Sequence, residues 1–561
     1  MLKMLNKIQK RIVFEMPFNT IVSASPGTGK TKTLVARAEH KLGTIPKHKY
    51  LALITYTNAG ADEIESRLIS HIDNVFIGTI HRFCLEYILR PFGWIYNYDP
   101  PKVISFDDLN QFVETIQELD LGNSPIDELG KIKRRLNGEI DYDIDWPHSV
   151  TLDSISELYF NYLSTRKLID FNEILYRAYK IVSENSFVAN SLANKFYEIS
   201  IDEFQDTNIF QYEIFRLINE YGISTFFMVG DEKQRIYGFA GAIESAFEKA
   251  SIDFGAEIEV LEATYRSTTN IIDAYSKLFD NHPKLINESR YKDIDLPLTI
   301  SKTDNASNSS YIESCINHLL NNNVELSEIA ILTTNWMEAF NISRHVRQRY
   351  HTVGLGALPH RSVNNSTFTL LRSLCKYYHE PSISKLRAIK RYIELHILEN
   401  NLSFSEKEIN YSVNNLITLF KDQNFKTELI QSLYNIEKIF EKIFKTNNSV
   451  FKEIIELIDS EESLMWDFEK YSKTLSGIGG ITINTIHQSK GLEYSAVILN
   501  NINTGMLPYQ QWDRRSRSFM ALTEDNLQSG RTLFYVGISR AKLMLVITHN
   551  WNPSLFLKII K

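Results

Sequence analysis

Three cysteines in 561 residues, Cys84, Cys315 and Cys375, are too few and too far apart for a disulfide framework, a zinc knuckle or an iron–sulfur signature. Such a chain suits a reducing compartment, and the expected location is the cytoplasm. Long apolar runs are missing too. Nothing approaches the roughly 20 residues of a membrane span, and Met1-Leu2-Lys3-Met4-Leu5-Asn6 lacks the apolar centre of a secretory leader, so no membrane partner is expected. Nor is there an excess of positive charge. Lys and Arg total 61 against 68 Asp and Glu, a formal charge of −7. Any nucleic acid must then be held by a local basic groove rather than by a basic protein as a whole. What is present is an ordinary globular composition, 43% hydrophobic, in a chain longer than the roughly 250 to 300 residues that one core supports.

The chain is organised around Ala24-Ser25-Pro26-Gly27-Thr28-Gly29-Lys30-Thr31. A short apolar run, Thr20-Ile21-Val22, precedes it, and a helix-like pattern, Thr33-Leu34-Val35-Ala36-Arg37-Ala38, follows. Strand, tight loop and helix are the expected order. Gly27 and Gly29 permit backbone angles that turn successive N–H groups inward around a phosphate at a helix N-terminus. Lys30 then reaches the β- and γ-phosphates of a nucleotide, and Thr31 holds Mg²⁺. Gln9, on a short preceding helix, carries a donor and an acceptor that match an adenine edge, a match without weight on its own.

Further apolar runs end in polar residues, as in open α/β sheets that bind ligands at the carboxyl ends of their strands. Tyr50–Ile54 leads into Tyr56, Thr57 and Asn58; Val75–Ile77 leads into Thr79 and His81. After a stretch with Pro91, Pro100, Pro101 and Pro147 and no strand rhythm, Glu198–Ile201 runs into Asp202-Glu203-Phe204-Gln205-Asp206. Adjacent carboxylates at a strand end suit Mg²⁺ binding by Asp202 and orientation or deprotonation of a water by Glu203. Thr225–Val229 opens into a segment where Gln234 can sense a γ-phosphate and Tyr237 and Phe239 can stack bases or fill a core. A second α/β unit starts after Leu261–Ser267, with strands at Ile329–Leu332, Ile481–His487, Ala496–Leu499 and Leu543–Thr548, interrupted by a second helical stretch. The basic runs Lys131–Arg135 and Lys385–Arg391 are open to two readings, phosphate contact or solvated helix face.

Taken in order, these segments resemble the UvrD/PcrA/Rep branch of superfamily 1 DNA helicases across nearly the whole chain. Ala24–Thr31 is similar to that family's phosphate loop, Leu168–Leu175 to its "LDFDDLL" stretch and Asp202–Asp206 to its DExQD motif. Thr485-Ile486-His487, Lys490-Gly491-Leu492-Glu493, Tyr535-Val536 and Ser539-Arg540-Ala541 complete the series. The resemblance implies an α/β fold of two RecA-like parallel-sheet P-loop domains, each with a mostly helical insertion. The implied boundaries are 1–86 and 168–265 for the first domain around an insertion at 87–167. The second domain takes 266–360 and 477–561, around an insertion at 361–476.

The family likeness further implies an ATP- and Mg²⁺-dependent 3′–5′ helicase acting on single-stranded or tailed DNA. Ser25–Thr31, Gln9, Arg37, Tyr265 and Glu493 would bind nucleotide, with Glu493 on the ribose. Glu203, Gln234, Arg266 and Arg540 would carry catalysis, the two arginines on the γ-phosphate. Tyr56, Thr57, Asn58, Thr79, His81, Tyr237, Phe239, Thr485 and His487 would contact DNA. Departures from the pattern are Ala240 where the family has Arg, Thr264 for Asn, and Gln528-Ser529-Gly530 for an acidic run. The alternative reading is a regulatory ATPase subunit like the helicase component of Gabija-type anti-phage systems, which pairs with an OLD-family nuclease. A metabolic P-loop kinase fails on the paired arginines and the second α/β unit.

Overall fold

The apolar runs form two six-stranded sheets in a computed structural model. It describes residues 5–560 apart from 70–73, 99–100, 117–118, 120, 123–124, 143, 145, 237–240, 305–307, 361–364, 422–427, 446–448, 459–465 and 514. The first sheet contains β1 (Thr20–Ala24), β2 (Tyr50–Thr55), β3 (Val75–Thr79), β4 (Phe196–Ile201), β5 (Thr225–Gly230) and β6 (Glu257–Leu261). The second contains β7 (Thr299–Lys302), β8 (Ile329–Thr333), β9 (Thr352–Gly354), β10 (Ile481–Thr485), β11 (Tyr494–Leu499) and β12 (Ala541–His549). Spatial orders are β3-β2-β4-β5-β1-β6 and β7-β12-β11-β8-β10-β9. Every neighbouring pair is parallel. This is the expected pair of RecA-like α/β domains.

Parallel sheets carry helices on both faces, so successive residues of an inner strand are buried on opposite sides. Phe226 of β5 joins one apolar cluster with Phe196, Phe215 and Phe254, while Phe227 joins the other with Val22, Leu34 and Ile64. In β8, Ala330 and Leu332 face one core and Ile329 and Ile331 the other.

Between β3 and β4, the helices Phe106–Thr115 and Leu152–Thr165 close a small core around Phe112, Ile155, Tyr159 and Leu163. Between β9 and β10, the helices Ser366–His379, Ile383–Glu399, Glu406–Lys421, Leu429–Phe444 and Phe468–Ser476 bury Leu371, Ile389, Leu416, Phe440 and Tyr471 in a core of their own.

Both basic runs are largely engaged within the protein. Arg134 pairs with Glu173 at 2.7 Å and lies over the Phe160 and Tyr176 rings; Lys131 and Arg135 pair with Glu128 and Asp141. Arg391 is buried and joins the second insertion to the first domain: its guanidinium meets Glu65 at 3.1 Å and also Asp62, which accepts from Tyr392 at 2.8 Å. Asp62 and Glu65 lie on the helix Asn58–Arg67. Arg82, on the helix Ile80–Cys84, reaches Glu394 of the same insertion helix at 2.9 Å.

Candidate nucleotide cleft and nucleic-acid edge

The loop after β1 is shaped for an anion. Gly29 caps the helix Lys30–Leu42 with φ +89° and no side-chain cap, which leaves the first-turn N–H groups to a ligand. Gly27, at φ +75°, admits the start of the second domain: a Cβ there would lie 2.5 Å from the Arg266 Cβ. Tyr265 N–H donates to the Gly27 carbonyl at 2.9 Å, and the Thr264 hydroxyl to that of Pro26 at 3.0 Å. Thr28 is pinned within the loop, its hydroxyl donating to the Ser25 carbonyl at 2.8 Å.

Gln9 is fully buried. Its Oε1 accepts from Asn6 N–H at 3.1 Å, and its Nε2 donates to the Thr28 carbonyl at 3.1 Å. Both amide functions therefore hold the phosphate loop and the preceding helix, which leaves one N–H and one oxygen lone pair for an adenine edge.

Arg37 is corrected outright. It is fully buried, its Nη2 lies 2.8 Å from Glu198 and its Nη1 donates to the carbonyls of Ile12 and Met16 at 2.7 and 2.9 Å. It ties the Gln9 helix to the sheet rather than facing a nucleotide. The helix presents Thr33–Ala38 to the interior, so the cation near the cleft mouth is Lys32, with Nζ 5.9 Å from the Tyr265 ring centroid. Tyr265 itself is 41% exposed and accepts from Asn6 Nδ2 at 3.1 Å.

At the end of β4, Glu203 adopts φ +52°, a strained conformation for a side chain. The turn is closed by Asp206 N–H to the Glu203 carbonyl at 2.9 Å and by Glu203 N–H to Asp202 Oδ1 at 3.1 Å. Lys30 approaches one Glu203 oxygen at 4.0 Å, and Lys490 of the second domain approaches the other at 3.8 Å. Lys490 also pairs with Asp206 and donates to the Gln234 carbonyl at 2.8 Å. Burial followed by the Glu203 charge pushes the Asp202 carboxyl up. Glu203 is held ionised against its burial by Lys30 and Lys490.

Thr31 and Asp202 supply hard oxygen donors, and no group of three or more His, Cys, Asp or Glu that could hold a metal exists among the described residues. Such a donor set fits Mg²⁺, which keeps waters and binds through one or two protein oxygens plus phosphate.

The sequence-read arginines both line this cleft. Arg540 is buried; it donates to Gln234 Oε1 at 3.0 Å, the Val536 carbonyl at 3.0 Å and the Leu492 carbonyl at 3.2 Å. Burial and the Arg266 charge lower its pKa to about 10, which leaves it protonated at neutral pH. Gln234 in turn donates to Asp231 at 2.7 Å. Arg266 forms an ion pair with Glu493 at 2.7 Å and donates to the Ser539 carbonyl at 3.0 Å, while Lys542 sits 3.4 Å from Glu493. The residue expected on a ribose thus holds an arginine expected on a phosphate. Lys490, Lys542, Asp206 and Tyr535, whose hydroxyl lies 3.3 Å from Asp231, were not foreseen as site residues. The signal for Lys490 was its place in the quoted segment Lys490–Glu493.

The residues expected on DNA stand at strand ends. Register pairs Thr55 with Thr79, so Tyr56–Asn58 and Thr79–His81 emerge side by side from β2 and β3. Thr57 caps the helix Asn58–Arg67 through Gly60 N–H at 3.0 Å, and Thr79 caps Ile80–Cys84 through Arg82 N–H. Tyr56 is 40% exposed. His81 packs edge-on against Phe171, and burial pushes its pKa down to about 4. Thr485 ends β10 in the second sheet, largely buried, and its hydroxyl accepts from Gln488 N–H at 3.3 Å; His487 lies in the following single turn. Tyr237 and Phe239 lie outside the described residues. No helix among the described residues is long and apolar enough to cross a membrane.

Comparison with known proteins agrees with this geometry. Residues 5–255 match the UvrD/REP helicase N-terminal domain, and residues 369–552 match the UvrD-like helicase C-terminal domain. The chain is 26% identical to a probable DNA helicase II homolog of Rickettsia conorii, over 99% of this chain and 94% of the relative. It is 24% identical to the ATP-dependent DNA helicase PcrA of Bacillus subtilis, over 98% and 83%. Identity to the ATP-dependent DNA helicase Rep of Buchnera aphidicola subsp. Schizaphis graminum is 21%, over 97% and 93%. With both halves of the family matched in order and the cleft residues converging between two RecA-like sheets, the chain belongs to the UvrD-like DNA helicases.

Proposed function

We propose that this protein is an ATP-driven motor that moves 3′ to 5′ along single-stranded DNA and separates duplex ahead of it. The observation that carries the reading is the shared ownership of the cleft. Lys30, Glu203 and Gln234 come from the first domain, whereas Lys490 and Arg540 come from the second, and they meet at Glu203 and Gln234. Hydrolysis that depends on groups from both domains is coupled to their approach and separation.

In this reading Glu203 orients and deprotonates the attacking water, and Gln234, already joined to Arg540, reports the γ-phosphate to the second domain. Arg266 exchanges Glu493 for the γ-phosphate, and Arg540 stabilises charge that develops in the transition state. Thr31 and Asp202 would hold Mg²⁺, which would supply positive charge against the nucleotide's phosphates. Tyr265 flanks the base, opposite Lys32. DNA lies across Tyr56–Asn58 and Thr79–His81 of the first domain and Thr485–His487 of the second, so opening and closing moves one grip relative to the other. Direction follows the family resemblance alone. The boundaries 87–167 and 361–476 are our division of the chain into insertions.

The test is unwinding of duplexes that carry a 3′ or a 5′ single-stranded tail, with ATP and Mg²⁺, by the full chain. Strand separation from the 3′ tail alone is expected. Separation from the 5′ tail overturns the polarity, and ATP consumption without separation makes the chain a translocating or regulatory subunit that serves a partner.

A further inference from the structure

The carboxyl end of the second sheet carries an exposed aromatic ledge. The strands β10, β8, β11 and β12 are consecutive neighbours, and their ends are level: Thr333 pairs with Thr485, Leu332 with Leu499, and Leu499 with Ile547. Just beyond β8, Trp336 and Met337 are 62% and 61% exposed. The chain leaving β11 forms a small antiparallel hairpin, Trp512–Asp513 against Ser518–Phe519. Tyr509, Trp512 and Met520 stand out from it, as does Trp551 from the loop after β12. Trp512 packs edge-on against Phe519 at 5.0 Å, and Phe519 against Trp551 at 5.9 Å.

This ledge is held in place from below. Asn503 Nδ2 donates to Asn550 Oδ1 at 2.7 Å, Thr504 N–H to the Asn552 carbonyl at 2.9 Å, and Ser554 N–H to the Ile502 carbonyl at 3.0 Å. Gln510 Nε2 closes the hairpin on the Met520 carbonyl at 2.9 Å. Segments on either side of the helix Glu524–Ile538 therefore form one polar base with an aromatic top. Arg515 and Arg517 are exposed at the hairpin tip; the Asp513 carboxylate beside them accepts from the backbone N–H groups of Arg515 and Ser516 and the Ser516 hydroxyl, and no guanidinium ion pair of Arg515 or Arg517 exists among the described residues. In a chain with net charge −7, exposed guanidinium groups on the same hairpin as an exposed indole match a ligand with π-faces and a phosphate backbone.

We propose that single-stranded DNA continues from the Thr485–His487 turn along this ledge, with bases stacked on Trp336, Trp512 and Trp551 and phosphates met by Arg515 and Arg517. The proposal rests on the reading of Thr485–His487 as a DNA contact and lengthens that site to the far side of the second domain.

Binding of short and long oligothymidylates to the full chain tests it, with folding checked by thermal midpoint. Trp512→Ala weakens the long oligonucleotide about tenfold, the scale of one lost stacking contact, and leaves the shortest one nearly unaffected. Trp512→Phe restores most of the loss. Arg515→Ala with Arg517→Ala, both on the surface, lowers the slope of log affinity against log salt by about 1.4. Full-length affinity and salt slope equal to the parent's in both the Trp512→Ala and the double-arginine variants overturn the ledge and leave the patch to a protein partner. A parent chain that binds no single strand of any length overturns the proposed function instead.

Discussion

In the cleft, the charged groups of Glu203, Lys490, Asp206, Arg266 and Glu493 sit against one another, partly or wholly withdrawn from water. Along the strand-end edge, Tyr56, Trp336, Trp512 and Trp551 are 40% to 62% exposed. Buried ion pairs add little net stability, because desolvation offsets their attraction. Exposed aromatics add none until something covers them. In the proposed reading the cleft is preorganised for charge that arrives and changes, and the edge for a partner with flat apolar faces. Within the protein, Arg266 is paired with Glu493 and Gln234 with Arg540.

Substitutions that separate the two regions test this contrast. Arg540→Ala has the largest expected effect, a fall of about 10³ or more in ATP turnover, on the scale of an arginine finger. Steady-state ATPase assays check it, and a loss below about tenfold removes Arg540 from the transition state. Glu203→Gln, which keeps the shape and deletes the charge between Lys30 and Lys490, lowers turnover by about 10² to 10⁴ with nucleotide binding retained. Unchanged turnover would refute the assigned base. Arg37→Met sharpens the contrast from the structural side: leaving buried Glu198 with only the Lys41 cation, at 3.9 Å, costs up to about 3 to 5 kcal/mol of stability, read by urea unfolding. A residue that touched nucleotide would instead move KM at constant stability. Thr57→Ala is the mildest, with about 1 kcal/mol lost from the helix cap and a several-fold weaker grip on single strands. Single-strand affinity unchanged beside a measured loss of stability would confine Thr57 to capping.

The same contrast decides what could be read from the sequence. Inner strands such as β5 and β8 are buried on both faces, so Thr225–Val229 and Ile329–Leu332 stand out as continuous apolar runs. Three of the four edge strands did not. β6 alternates acidic with aliphatic residues, β7 is polar, and β9 has three residues. Chemistry made part of the cleft legible: a phosphate loop and paired carboxylates admit few other residue types; Arg266 and Arg540 are assigned by the family resemblance, and the fold brings them to the same cleft. Arg37 failed because a helix faces two ways, and position 37 lies on the stripe that packs on the sheet, whereas Lys32 lies at the open first turn. Arg391 failed as a DNA or solvent residue because its partners, Asp62 and Glu65, are more than 300 residues away in sequence. The aromatic ledge was invisible for a related reason. Trp336, Trp512 and Trp551 are distant in sequence and follow three strands that the fold sets side by side, β8-β11-β12, with Phe519 joining Trp512 to Trp551.

The most direct measurement is the ATPase rate of the full chain with and without single-stranded DNA. If the cleft is completed by the same domain movement that shifts the two DNA grips, single strands raise turnover by about tenfold or more, and Glu203→Gln lowers both rates by about 10² to 10⁴. An equal rate with and without DNA would contradict the coupling between cleft and edge.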